Sequence, residues 1–221
     1  MKKPKTSKNS ITKYLNDYKT KYSALEVEKL SAFFEEFNLH CLISSNEKRK
    51  MRDDLLKAFD YYKNNGVSID TAIQRLSNNN LGGFYAKSSS LWFALDDAAK
   101  IYPFSLGHGS MSLFRLSAYM KKPIVPELLQ IALTFTIKRF PLFATTIKKG
   151  LFWHYLDSIK RRFTVEKEST APVRPMPVSS SYSTTFRVLY YENRISIEFF
   201  HVLTDGIGGM EFLKCLIGEY L

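Results

Sequence analysis

The chain has 221 residues, of which 45% are hydrophobic and 24% charged, with 17 Phe and 13 Tyr: material for one large globular domain, or a medium domain with an extension. Two distant cysteines, Cys41 and Cys215, with no C-x-x-C pair, exclude a disulfide framework and a structural zinc site. The net charge of +11 is spread along the chain and accompanies no recognition motif, which removes nucleic acid from the expected partners.

Met1-Lys2-Lys3-Pro4-Lys5 has no apolar run behind it, so no secretory leader is expected. The longest apolar run, 128–137, is too short and amphipathic to cross a membrane. A reducing, cytoplasmic setting follows as the expectation.

In chain order, residues 1–10 read as a disordered basic tail and 11–90 as a helical extension. Leu25, Leu30, Phe33, Phe34 and Phe37 recur at helical spacing. Asn46 is a candidate N-cap for a second helix with Met51, Leu55, Leu56, Phe59 and Tyr62 on its apolar face, closed by Asn64-Asn65-Gly66. Ser68 starts a short third helix through Leu76, and Asn78 to Gly83 breaks the pattern.

Residues 91–221 read differently. Ser112 to Met120 alternates as a strand. Pro126-Glu127 opens a helix to about Arg139, with Leu128, Leu129, Ala132, Leu133, Thr136 and Phe140 on one side, and Pro141 stops it. Phe143–Ile147 and Leu151–Leu156 are expected strands around Lys148-Lys149-Gly150. Residues 164–183, rich in Pro, Ser and Thr, read as a loop. Thr185–Tyr191 and Arg194–Phe200 are expected strands around a tight turn, and a helix from about Gly209 to Tyr220 closes the chain. Hairpin strands with helices packed on one face indicate an α+β architecture, a two-layer mixed sheet with helices on one face.

The chemically sharp segment is Phe199-Phe200-His201-Val202-Leu203-Thr204-Asp205-Gly206. It places His201 directly after a strand and Asp205 just before a helix. A neutral histidine there can project into a cleft and accept a proton at physiological pH. Gly206, Gly208 and Gly209 permit close approach of another group, and the helix points its positive end to the same place.

Other candidates weigh less. His108 reads as a loop residue, His154 as one face of a strand, and His40 beside Cys41 as packing. Gly206-Ile207-Gly208-Gly209 lacks the G-x-G-x-x-G and βαβ context of a dinucleotide site. Lys148-Lys149 and Lys160-Arg161-Arg162 read first as solvated turn and loop residues, and second as ligands of a phosphate.

His201-Val202-Leu203-Thr204-Asp205-Gly206 resembles the H-x-x-x-D-G motif of the chloramphenicol acetyltransferase-like superfamily. Leu95 to Pro103, Arg139-Phe140-Pro141, Gly150 to Trp153 and Phe186 to Tyr191 look like its bacterial alcohol acetyltransferase branch. The resemblance covers about residues 92–221 and matches the N-terminal half of the family's two-halved fold. It implies transfer of an acyl group, acetyl first, from acyl-CoA to a small alcohol or amine. His201 would be the general base, with Asp205 and Gly206 completing the motif. It implies no permanently bound cofactor and no metal, with acyl-CoA as the donor. It further implies that Asp205 pairs with an arginine, Arg115 or Arg187. Its partners would be a separate C-terminal half or a second copy of the chain. The alternative reading is a non-catalytic half-domain that serves binding or assembly.

Overall fold

The computed structural model describes residues 21–40, 45–77, 92–108, 111–151, 153–159, 162–176 and 184–221. The chain divides into two compact units, Met1–Ala86 and Lys87–Leu221.

The first unit is helical among its described residues: α1 (Ala24–His40), α2 (Ser45–Asn64) and α3 (Ile69–Leu76). A reciprocal cap opens α1. Ser23 N–H donates to Glu26 Oε2 at 2.7 Å, and Glu26 N–H returns to Ser23 Oγ at 3.4 Å. Asn46, expected as the N-cap of the second helix, lies inside its first turn instead, where Oδ1 accepts from Arg49 at 3.0 Å. The helix thus begins two residues earlier, at Ser45. Gly66, at φ +74°, ends α2 in the left-handed conformation, and Ser68 caps α3 by accepting from Thr71 N–H. Leu30, Phe33, Phe34, Leu55, Leu56, Phe59, Ala72 and Leu76 form the buried core, in which Phe33 meets Phe34 and Phe59 edge to face.

The second unit is α+β, with two sheets and two long helices. The smaller sheet is antiparallel, in the order β1 (Trp92–Ala94), β4 (His154–Ser158), β3 (Thr145–Lys149). The larger has the order β2 (Leu113–Tyr119), β7 (Arg194–Phe200), β6 (Phe186–Tyr191), β5 (Val165–Lys167). Its β5–β6 pair is parallel and the others are antiparallel, so the sheet is mixed.

Side chains alternate across each strand, which gives the larger sheet two unlike faces. Ile195, Ile197 and Phe199 of β7, with Phe186 and Val188 of β6, form an apolar face. Helices α4 (Pro126–Arg139) and α5 (Gly206–Tyr220) cover it. Phe212 of α5 packs on Phe186, Phe199 and Phe143. Gln130 of α4 is buried; its amide donates to Phe163 O at 2.7 Å and its Oε1 accepts from Val165 N–H at 3.0 Å. Those two bonds carry the chain into β5.

Several boundaries differ from the sequence expectation. Every residue of α4 from Leu129 to Ile137 is buried, not one side only, because α4 lies between α5 and the start of β5. Pro141–Phe143 forms a 3₁₀ turn, so β3 starts at Thr145 rather than Phe143. Its partner starts at His154 rather than Leu151, because Gly150 N–H bonds to Trp153 O just before it. Three elements were not anticipated: β1, β5 within the expected loop, and a 3₁₀ segment Ala99–His108. Residues 177–183 of that expected loop, and the expected tail 1–10, lie outside the described residues.

Candidate functional site

The site starts where β7 runs out of sheet. Phe200 N–H bonds to Thr185 O at 2.8 Å, and His201 N–H bonds to Ser112 O at 2.9 Å. One residue later the chain turns, and Leu203 N–H returns to Phe200 O at 2.8 Å. Val202 and Leu203 are buried and anchor the turn, while His201 is half-buried.

Two aromatic rings hold the imidazole. Tyr102, on the 3₁₀ segment, stacks on it with centroids 5.0 Å apart and planes 17° from parallel. Phe114, from β2, lies tilted against it at 4.5 Å and 43°. Phe114 in turn stacks on Phe199 at 5.1 Å. Among the described residues, no side chain hydrogen-bonds to the imidazole nitrogens. Tyr102 and Phe114 carry no catalytic signature in sequence. In sequence Phe114 is legible as a strand residue, and Tyr102 as part of the segment that resembles the alcohol acetyltransferase branch.

Asp205 is exposed and N-caps α5. Its Oδ1 accepts from Gly208 N–H at 2.8 Å, and its carbonyl accepts from Gly209 N–H at 3.0 Å. The helix therefore begins at Gly206, three residues before the expected Gly209. Gly209 lets α5 approach the sheet: a Cβ there would lie 3.1 Å from ring carbons of both Phe114 and Phe199. The same residue that seats the helix thus limits where the imidazole's aromatic wall can go.

The expected Asp205–arginine pair is not formed among the described residues. Arg115 and Arg187 point to the other face of the sheet, because Arg115 follows Phe114 on β2 and Arg187 follows Phe186 on β6. Both bind Glu198, which is fully buried on β7. Arg115 also grips Glu168 with two nitrogens, at 2.7 and 2.8 Å, and reaches Ser196 Oγ. Arg187 donates to Arg174 O, and Val173 N–H, at φ +58°, donates to Glu198 Oε1 at 2.8 Å. Residues 168–174 are strapped over this face by those bonds. Glu198 sits in a strand that reads as apolar, so its role left no separate mark in sequence.

Of the remaining candidates, Lys148 and His154 lie in the smaller sheet. Lys148 pairs with Asp157 across the β3–β4 ladder. His154 opens β4 and is half-buried, and that burial pushes its pKa down. Lys160, Arg161 and Cys41 lie outside the described residues, as do the side chains of His40 and His108. Among the described residues no group of three or more His, Cys, Asp or Glu could hold a metal ion. No described helix is long and apolar enough to cross a membrane.

No family model matches the chain, and no curated protein matches it. Solved structures do. The starter condensation domain of rhizomide synthetase is 13% identical with a TM-score of 0.48, over 59% of this chain and 38% of that one. Polyketide synthase associated protein 5 from Mycobacterium tuberculosis is 11% identical with a TM-score of 0.45, over 61% and 34%. The structure of condensation domain-mediated chain release from the enacyloxin polyketide synthase gives 10%, 0.38, 66% and 35%. Two of these three are condensation domains. The chain spans little more than a third of the length of each.

Proposed function

We propose that residues 87–221 carry the histidine side of an acyltransferase site. The donor would be an acyl-CoA and the acceptor a small alcohol or amine, in the manner of the bacterial alcohol acetyltransferases that the segments flanking the H-x-x-x-D-G motif resemble. One observation carries the reading: His201 leaves the sheet at a strand end with its backbone fixed, its ring packed against Tyr102 and Phe114 and its edge uncommitted among the described residues.

The chemistry follows from that placement. His201 takes the proton of the acceptor hydroxyl or amine as its oxygen or nitrogen attacks the thioester carbonyl. The carbon–sulfur bond breaks, and the imidazolium returns the proton to the departing thiolate. Asp205 acts on geometry: it caps α5 and thereby fixes the turn that presents His201. Gly206, exposed and with nothing within 4 Å of where its Cβ would be, leaves room beside the turn.

The test is release of free CoA from a panel of acyl-CoA donors with alcohol and amine acceptors. The expectation for His201→Ala is a loss of about 10²–10⁴-fold in turnover. Equal turnover by wild type and variant would end this reading.

A second reading treats the unit as a docking half whose site is completed by another half or copy. Exposed apolar side chains near the turn favour it: Ile101 and Phe104 beside Tyr102, and Ile207 and Met210 just past Asp205. Sedimentation of the purified chain, alone and with acyl-CoA, separates the two. A monomer that turns over acyl-CoA rejects the docking reading, and an assembled species that binds no thioester supports it.

A further inference from the structure

The two walls around the His201 ring are built differently. Phe114 is backed by Phe199, which meets Phe212, and α5 closes on it at Gly209. That wall cannot retreat without moving the helix. The facing wall is Tyr102, on a 3₁₀ segment fastened at its start by Ala99 N–H donating to Asp96 Oδ1 at 2.7 Å. Rotating the imidazole far about its χ2 would drive its edge into one ring or the other.

An imidazole stacked on one ring and packed against a second is still able to act as a base. The basic lone pair lies in the ring plane, so stacking covers the faces and leaves the edge to meet an acceptor. The backbone bond from His201 N–H to Ser112 O fixes where the ring starts, and it does not set the plane. The plane is set by the two aromatic faces.

We propose that Tyr102 is a positioning residue for His201: its ring face, not its hydroxyl, holds the imidazole in the plane from which its edge meets the acceptor. This rests on the reading of His201 as the base.

Two variants of the full chain test it. Tyr102→Phe keeps the ring and removes the hydroxyl. Tyr102→Leu keeps apolar bulk and removes the ring. The first readout is independent of turnover: acylation of the imidazoles by diethyl pyrocarbonate, followed peptide by peptide by mass spectrometry. His154, in the other sheet, is the internal reference. Tyr102→Leu is expected to raise the His201 rate relative to His154 by about tenfold, the factor that about 1.4 kcal/mol of lost restraint yields, and Tyr102→Phe to leave it near wild type. The second readout is turnover. In Tyr102→Leu, kcat should fall by about 10-fold to 100-fold with KM little changed, and Tyr102→Phe should restore it. An unchanged far-UV spectrum and His154 rate establish that the variants are folded.

Equal His201 reactivity in wild type and Tyr102→Leu overturns the proposal. So does raised reactivity with an unchanged kcat, since the plane would then not matter to the base. An inactive wild type instead counts against the acyltransferase reading, and the reactivity comparison still decides whether Tyr102 holds the ring.

Discussion

Gly206 and Gly209 share the first turn of α5 and differ in what surrounds them. A Cβ at Gly206 would meet nothing within 4 Å; one at Gly209 would press on Phe114 and Phe199 at 3.1 Å. Those two rings are stacked against each other and against buried neighbours, so the extra methyl has nowhere to go. Gly209→Ala is expected to cost about 1–3 kcal/mol in urea unfolding. Gly206→Ala should be neutral or stabilise by up to about 1 kcal/mol, because alanine favours the helix and constrains the unfolded chain. If Gly206→Ala nonetheless lowers turnover at full stability, the space beside Gly206 is used by substrate; unchanged turnover would remove it from the site. The sequence marks all the glycines of this turn alike. Only the approach of the two rings tells the one that seats the helix from the one that faces open space.

At the scale of elements, the polar face of the larger sheet is held by charge rather than by apolar packing. Arg115, Arg187 and Arg194 surround Glu198 and Glu168, and the strap 168–174 is fastened through them. Glu198 is fully buried, so removing its charge takes from Arg187 the carboxylate it binds and leaves Arg115 with Glu168 alone. Glu198→Gln should cost about 3–5 kcal/mol, far more than a surface pair would. Glu168 gives a pH signature. Its hydrogen bond from Arg115, joined by Arg194, lowers its pKa from 4.5 to about 2. A carboxylate held that low binds fewer protons folded than unfolded. The stability it adds is present above 4.5 and is lost as pH falls toward 2. The wild-type urea midpoint should therefore drop between about pH 5 and pH 2, while Glu168→Gln starts lower at neutral pH and drops less across that window. Parallel curves for the two proteins would show that another group governs the acid limb. The arginines themselves were legible as strand residues. Their partners were not, because pairing on a sheet face depends on register, and β2 and β7 pair at sequence separations of 75 or more.

Across the whole chain, legibility followed locality. The helices of the first unit, α4, the β6–β7 hairpin and the turn at His201 are written in neighbouring residues, through spacing, caps and Pro or Gly stops. The short strands β1 and β5 are three residues each and exist because a distant strand pairs with them, which no local pattern records. The same is true of the aromatic slot, whose members Tyr102, Phe114 and His201 come from three separate segments. The division at 86/87 has a consequence that can be measured. The first unit closes its own core around Leu30, Phe34, Leu55, Leu56 and Phe59, fastened by Lys63–Glu26 and Tyr22–Asp60 contacts. Its core is small, and units of this size bury too little apolar surface to be very stable. The second unit has two sheets, two long helices and a continuous cluster of Phe rings, stacked and edge to face, through Phe143, Phe186, Phe199 and Phe212. Urea should therefore unfold the chain in two steps. The first should remove helical signal only. The second should remove the tertiary signal of Trp92 and Trp153, both of which lie in the second unit. A chain of residues 87–221 should reproduce that second step at the same midpoint. A single transition reported identically by helical signal and tryptophan fluorescence, with the fragment unfolded, would show instead that the two units fold as one.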